Sequence, residues 1–300
     1  MFEACGKFIL SGEHFILYGI PALALPLSTA KLRLLPQSFT ALPSQNDTLA
    51  STSKQAVEHI WGEACRRLKV EVSRFPYEVE SSLPMGCGLG SSAALCVAIL
   101  RALNAVHALY MSEEQLCVHA TALESFFHGR SSGLDPRVIV MEQPLCFAMN
   151  ASPRVWKWER NDVVILLAVS RDQRQTSVAV EKVRQFSVSS PVRFSAMKAE
   201  MEKRIAQIQR VCTVPALPAE TLGQAMSHNH ELLAEMGVSS SHLQHLVRAA
   251  KKAGSLGAKL TGAGMGGAMI AVADRDCAHQ VQKALLAAEA RVCFVLDPNF

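Results

Sequence analysis

At 300 residues, the chain is long enough for one large domain or two ordinary ones, and its core needs no disulfide or metal staple. Hydrophobic residues make up 49% and charged residues 19%, a globular balance that excludes a disordered chain. The formal charge of +4, from 30 basic against 26 acidic side chains, excludes a polybasic nucleic-acid scaffold but allows a local anion site.

Residues 7–35 read as strand, turn, strand. FIL at 8–10 and FILY at 15–18 flank Gly12, and PALALPLS follows Gly19. Pro21 and Pro26 point to edge or irregular segments. The stretch 37–53, rich in Ser, Thr and Gln, reads as a surface loop. A helix is predicted over 54–69, with Val57, Ile60, Trp61, Ala64 and Leu68 on one face. A strand is expected near Val70–Val72 or Tyr77–Glu80, then a glycine-rich loop at 84–92 running into a helix near 93–109. Ser112 and Gln115 make a capping-box signal for a helix over 113–128. VVILLAV at 163–169 reads as a buried strand. A charged helix covers 191–210, with Met197, Met201, Ile205 and Ile208 inward. Helices near 219–236 and 241–253 precede a second glycine-rich segment, 262–267. The tail reads strand (268–273), helix (276–289), strand (292–296). The mix is α+β, and the change in character near 150–160 divides the chain into domains 1–155 and 156–300.

The nine cysteines are scattered singly with no CxxC pair, so zinc-ribbon and thioredoxin readings have no support. Free thiols fit a reducing compartment, and a cytoplasmic location is expected. The opening MFEACGKFIL lacks the basic n-region of a secretory signal. No uncharged apolar stretch approaches the roughly 18–20 residues that span a bilayer.

Chemistry concentrates in four places. The first is PMGCGLGSSAA, Pro84 to Ala94. Glycines at alternate positions let the backbone approach a ligand, and the serines open a helix whose N-terminal N–H groups suit a phosphate. Ser91 and Ser92 hydroxyls can add ligands to phosphate or magnesium. The GK[ST] ending of a Walker A loop is missing, and the glycines at 86, 88 and 90 do not fit GxGxxG. Alone, the segment also fits a turn with a serine cap.

The second place is a carboxylate pair. Glu124 lies late on the 113–128 helix and Asp135 follows in HGRSSGLDP. As a pair they suit phosphoryl transfer, Glu124 holding Mg²⁺ and Asp135 taking the proton of an attacking hydroxyl. Either alone also reads as a solvated boundary residue. The third is KFILSGEH at 7–14, where Lys7 can reach a phosphate and His14 a polar substrate. The fourth is KLTGAGMGGA, Lys259 to Ala268, which with the first loop suggests two walls of one site. His228, His230, His242 and His245 bring no third ligand with them, so no metal site is expected there.

In order, GKFILSGEHFILYGIPALALPLS, PMGCGLGSSAAL and AKLTGAGMGGA resemble the three motifs of the GHMP kinases, over nearly the whole chain. Within that superfamily the GEHxxxxGxPAL string and NHELLAEMGVSSSHLQHLV look most like the mevalonate kinases. The resemblance implies a ribosomal-protein-S5-like N-terminal domain and a ferredoxin-like C-terminal domain, with the site between them. It implies ATP phosphates on Gly86, Gly88, Leu89, Gly90, Ser91 and Ser92, and Mg²⁺ on Ser92 and Glu124. It implies Asp135 as base, Lys7 as charge stabiliser, and Gly262, Gly264 and Gly266 closing over substrate and phosphates. His14, Glu13 and Thr176 fall on the substrate side. The reaction implied is phosphorylation of the primary hydroxyl of mevalonate. Relatives are often dimers; no nucleic-acid or membrane partner is expected.

Two departures bear on the substrate. Pro136 stands where the family usually has Asn, without the paired glycines that follow, and Met265 stands where Gly is usual. A kinase of another small alcohol, such as phosphomevalonate or a sugar, is therefore an alternative. So is a non-catalytic nucleotide sensor on the same scaffold, although it need not keep Lys7, Glu124 and Asp135 together.

Overall fold

The computed structural model describes residues 1–36, 50–128, 131–149 and 151–298. Contacts divide the chain into two compact units that interleave in sequence. Unit 1 comprises 1–6, 30–83 and 90–142; unit 2 comprises 7–29, 84–89 and 143–300. The long strands β1 (Phe2–Ser11) and β2 (Ala22–Pro36) are neighbours in one sheet, and each runs through both units.

Unit 1 is built on helices α1 (Ala50–Leu68), α2 (Ser91–Val106), α3 (Glu113–His128) and α4 (Leu134–Met141). β3 (Tyr77–Ser81) pairs antiparallel with the end of β2, Leu32 opposite Ser81 and Pro36 opposite Tyr77. The middle of α2 is apolar all round and buried from Ala93 to Leu100, which makes it the central helix against α1, α3 and α4. Its first residue follows Gly90 at φ 80, a left-handed conformation a side chain would resist. The capping box opening α3 is reciprocal: Ser112 N donates to Gln115 Oε1 at 2.8 Å, and Gln115 N to Ser112 Oγ at 3.3 Å.

In unit 2, β4 (Leu145–Phe147) pairs with the start of β2 and with β5 (Arg154–Val155). The larger sheet is antiparallel, formed by β6 (Val163–Val169), β7 (Gly257–Thr261), β8 (Ala268–Asp274) and β9 (Val292–Leu296) in the order β7-β8-β6-β9. Every residue of β6 is buried. Around it lie α5 (Thr176–Ser189), α6 (Pro191–Thr213), α7 (Ala219–Glu235), α8 (Ser241–Lys252) and α9 (Ala278–Ala287). Pro191 at the first position starts α6, where its missing N–H has no partner to lose. Phe194, Met197, Met201, Ile205 and Ile208 then recur every three or four residues on the buried face. Ser240 caps α8, its Oγ accepting from Leu243 N at 3.3 Å.

The structure departs from the sequence reading at several points. FILY at 15–18 is a 3₁₀ turn and not a strand: Ile16 N bonds Gly12 O at 3.2 Å and Gly19 N bonds Ile16 O at 3.3 Å. A four-residue apolar run carries no period that separates the two outcomes. Pro26 lies within β2, between the stretch registered with β4 and the stretch registered with β3, so its missing N–H breaks neither ladder. Val70–Val72 is irregular, and the strand there is β3. The loop expected over 37–53 falls outside the described residues up to 49, and its last residues open α1. α4, α5, β4, β5 and β7 are elements that the sequence pattern does not predict.

Candidate active site

Unit 2 gathers three segments far apart in sequence. Lys7, 4% exposed on β1, donates from Nζ to Gly88 O at 3.0 Å, and its backbone N donates to Leu89 O at 2.9 Å. The same glycine-rich loop meets the segment 262–267. A Cβ built on Gly267 would lie 3.0 Å from Cys87 O, and one on Gly262 3.9 Å from Gly88 O. Gly86 and Gly88 hold φ 70 and φ 80, and no atom of the described residues lies within 4 Å of where a Gly86 Cβ would point. A Cβ on Gly88 would come 3.0 Å from Nη1 of Arg174, so that guanidinium brings positive charge against the loop.

The 262–267 segment is left-handed almost throughout: Gly262 (φ 76), Gly264 (φ 73), Met265 (φ 51), Gly266 (φ 101) and Gly267 (φ 84). Met265 thus adopts a glycine-like conformation at the position where the family usually has Gly. A Cβ on Gly266 would sit 2.6 Å from Gln173 O, which fixes the 172–175 segment against the loop. Gln175 N donates to Met265 O at 3.2 Å, and Thr176, the first residue of α5, follows exposed.

After β1 the chain turns at Gly12, φ 97, whose Cβ would lie 2.4 Å from Pro21 O and 2.6 Å from Ala22 Cα. Glu13 and His14 follow, both buried. Glu13, 1% exposed, makes an ion pair through Oε1 with Lys259, which is 0% exposed. Burial pushes the Glu13 carboxyl up and the Lys259 ammonium down, while each charge draws the other back toward its ionised form. Glu13 Oε2 is buried with no hydrogen-bond partner among the described residues. His14 sits at φ 61, a conformation that costs a non-glycine residue about 1–3 kcal/mol and persists only where its surroundings hold it. Its Nε2 lies 2.8 Å from Ala263 O. A carbonyl only accepts, so Nε2 carries the proton and Nδ1 is left as an acceptor in the neutral ring. Burial, with the nearby Arg174 charge as a lesser cause, holds the His14 pKa below the usual histidine value.

Unit 1 carries the carboxylates and serines. Gly90 precedes α2, and Ser91 and Ser92 form its first turn, half-buried, where helical N–H groups lack intrahelical partners. Glu124 on α3 is 4% exposed and accepts from Ser131 Oγ, a contact that pulls the 131–133 turn onto the helix. Ser131 Oγ in turn accepts from Gly133 N at 3.1 Å. Glu124's negative charge, after burial, helps raise the pKa of Cys96. Asp135 is half-buried in the first turn of α4, where a helix N-terminus favours an anion. Pro136 next to it is tolerated because first-turn N–H groups need no helical acceptor.

Glu124 and Ser92 are hard oxygen donors of the kind magnesium takes, and among the described residues no group of three or more His, Cys, Asp or Glu forms a metal cage. Cys87 in the glycine-rich loop is buried, its thiol donates to Met85 O at 3.3 Å, and burial pushes its pKa up. Lys259, Arg174 and Ser131 were not singled out from the sequence. The one signal for Lys259 is a charged residue directly before Leu260, Thr261 and a glycine-rich loop.

Residues 53–143 match the family model for the GHMP kinases N terminal domain, and residues 213–291 the model for the GHMP kinases C terminal. Mevalonate kinase of Pyrococcus abyssi is 31% identical over 302 residues, covering 90% of this chain and 88% of that protein. Mevalonate kinase of Thermococcus onnurineus is 31% identical over 303 residues, with the same coverage of 90% and 88%. The crystal structure of L. major mevalonate kinase in complex with R-mevalonate superposes with a TM-score of 0.81 at 25% identity, covering 99% of this chain and 95% of that one. Among the described residues no helix is long and apolar enough to cross a membrane.

Proposed function

The chain belongs to the GHMP kinases, and from that membership we propose that it transfers the terminal phosphoryl group of ATP to the primary hydroxyl of mevalonate, giving 5-phosphomevalonate. The observation that carries the reading is near full-length likeness to mevalonate kinases. The meeting in unit 2 of the segments around 7–14, 84–89 and 261–267 supports it, because a phosphoryl-transfer site needs a cradle, a cation and a substrate wall together.

The roles follow from the residues. Backbone N–H groups of Gly86, Gly88, Leu89, Gly90, Ser91 and Ser92 bind the phosphates, and Gly262, Gly264 and Gly266 line the phosphate and substrate side. Ser92 and Glu124 would hold Mg²⁺. The chemistry that magnesium supplies when bound is charge neutralisation on the phosphates. His14, Glu13 and Thr176 stand on the substrate side, His14 offering Nδ1 to a hydroxyl. Asp135 takes the hydroxyl proton as the new O–P bond forms and the bond to ADP breaks. Lys7 offsets the negative charge that develops. The functional division falls near residue 155, and the two matched family stretches, 53–143 and 213–291, support it by lying on either side.

An ADP-release assay across mevalonate, phosphomevalonate, galactose and homoserine tests the substrate. Turnover with mevalonate above all the others is expected. Turnover with another alcohol and none with mevalonate would reject the assignment.

A further inference from the structure

We propose that Lys259 is a positioning residue for the substrate side of this reaction, acting through Glu13 on the turn that carries His14. The inference rests on the kinase reading above and adds a residue to it.

Lysine is almost never fully buried unless paired, and Lys259 is 0% exposed inside β7. Its Nζ bonds Glu13 Oε1 and also donates to Leu260 O at 2.7 Å. Apolar residues of similar volume often serve stability as well as a buried ion pair does, because desolvating two charges offsets much of their attraction. What the pair supplies is geometry.

Three ties join the first motif to β7 and the loop after it. Before the turn, Ile9 N donates to Thr261 Oγ1 at 3.0 Å and Thr261 Oγ1 donates to Ile9 O at 2.8 Å. Within it, Glu13 meets Lys259. After it, His14 Nε2 donates to Ala263 O at 2.8 Å. Gly12, closed against Pro21 and Ala22, leaves the turn no slack. Among the described residues Glu13 Oε2 has no hydrogen-bond partner, so Oε1 and its lysine aim the carboxylate. His14, held at φ 61, is the residue that the loss of this middle tie would release.

Steady-state kinetics of Lys259→Met, Glu13→Gln and the double variant E13Q/K259M, with alcohol and ATP varied separately, test the proposal. Each single variant is expected to raise KM for the alcohol at least about tenfold and to leave KM for ATP within about twofold. The double variant should be no worse than the poorer single one, since the two side chains act as a unit. A second readout needs no turnover: the imidazole ¹⁵N spectrum of His14 should show one Nε2–H tautomer in the wild type and lose it in K259M. An unchanged alcohol KM in K259M, losses that multiply in the double variant, or an ATP KM that rises in step would overturn the proposal. If K259M fails to fold, the double variant has no unpaired buried charge and carries the comparison. A wild-type alcohol KM with a single His14 tautomer there would overturn it. If the wild type turns over a different small alcohol and not mevalonate, the substrate assignment fails, and the same KM split measured with that alcohol still decides on Lys259.

Discussion

Lowering the pH from about 7.5 to about 5 should cost the fold about 2 kcal/mol through His230 alone. His230 lies on α7, and its Nδ1 accepts from Leu260 N at 3.3 Å, so that nitrogen cannot take a proton without losing the bond. Burial first, then the charges of Lys259 and Lys251, push its pKa down from 6.5 to about 4. In the window between those values the unfolded chain binds a proton that the folded chain refuses. Stability is therefore fully present above the unfolded pKa and is lost as pH falls toward the folded one. The whole shift corresponds to about 3 kcal/mol, of which about 2 is gone by pH 5. Urea midpoints at both pH values, for the wild type and His230→Asn, isolate the effect. The Asn Oδ1 stands near the place of Nδ1 and accepts without titrating. The wild type should lose about 2 kcal/mol more than the variant between the two conditions. Equal losses, or a larger loss in the variant, would refute the reasoning.

Two further outcomes follow from packing. Gly12→Ala should destabilise by about 2–4 kcal/mol, since its Cβ meets the Pro21 and Ala22 backbone and its φ is left-handed; an unchanged urea midpoint would contradict the close approach. Cys87 should react with iodoacetamide near neutral pH far more slowly than the part-exposed Cys277, as read by mass spectrometry. Equal rates would mean that the loop around Cys87 is open.

Much of the site was legible because its constraints are local. Alternating glycines before Ser91 and Ser92 announce a tight approach to a helix start, and all three glycines do adopt positive φ. Ser112 and Gln115 announce a cap, and the reciprocal bonds form. Features set by tertiary contact were not legible. A lysine reads as surface by default, and only the fold reveals that Lys259 faces Glu13 across 246 positions. FILY has strand composition, but the positive-φ residues at its two ends, His14 and Gly19, wind it into a 3₁₀ turn. α4 hid behind Pro136, a residue that usually ends helices and here sits in the first turn, where it is permitted. The interleaving of the two units follows from contacts of large sequence separation, which no local pattern records.

The most direct test of the central claim is ADP release with mevalonate by the wild type and by Asp135→Asn, with ATP affinity measured on both. The account predicts turnover by the wild type, a loss of about 10²–10⁴-fold in kcat on removing the base, and ATP binding within about twofold of the wild type. Full turnover by Asp135→Asn, or ATP binding without phosphoryl transfer to any alcohol by the wild type, would contradict it.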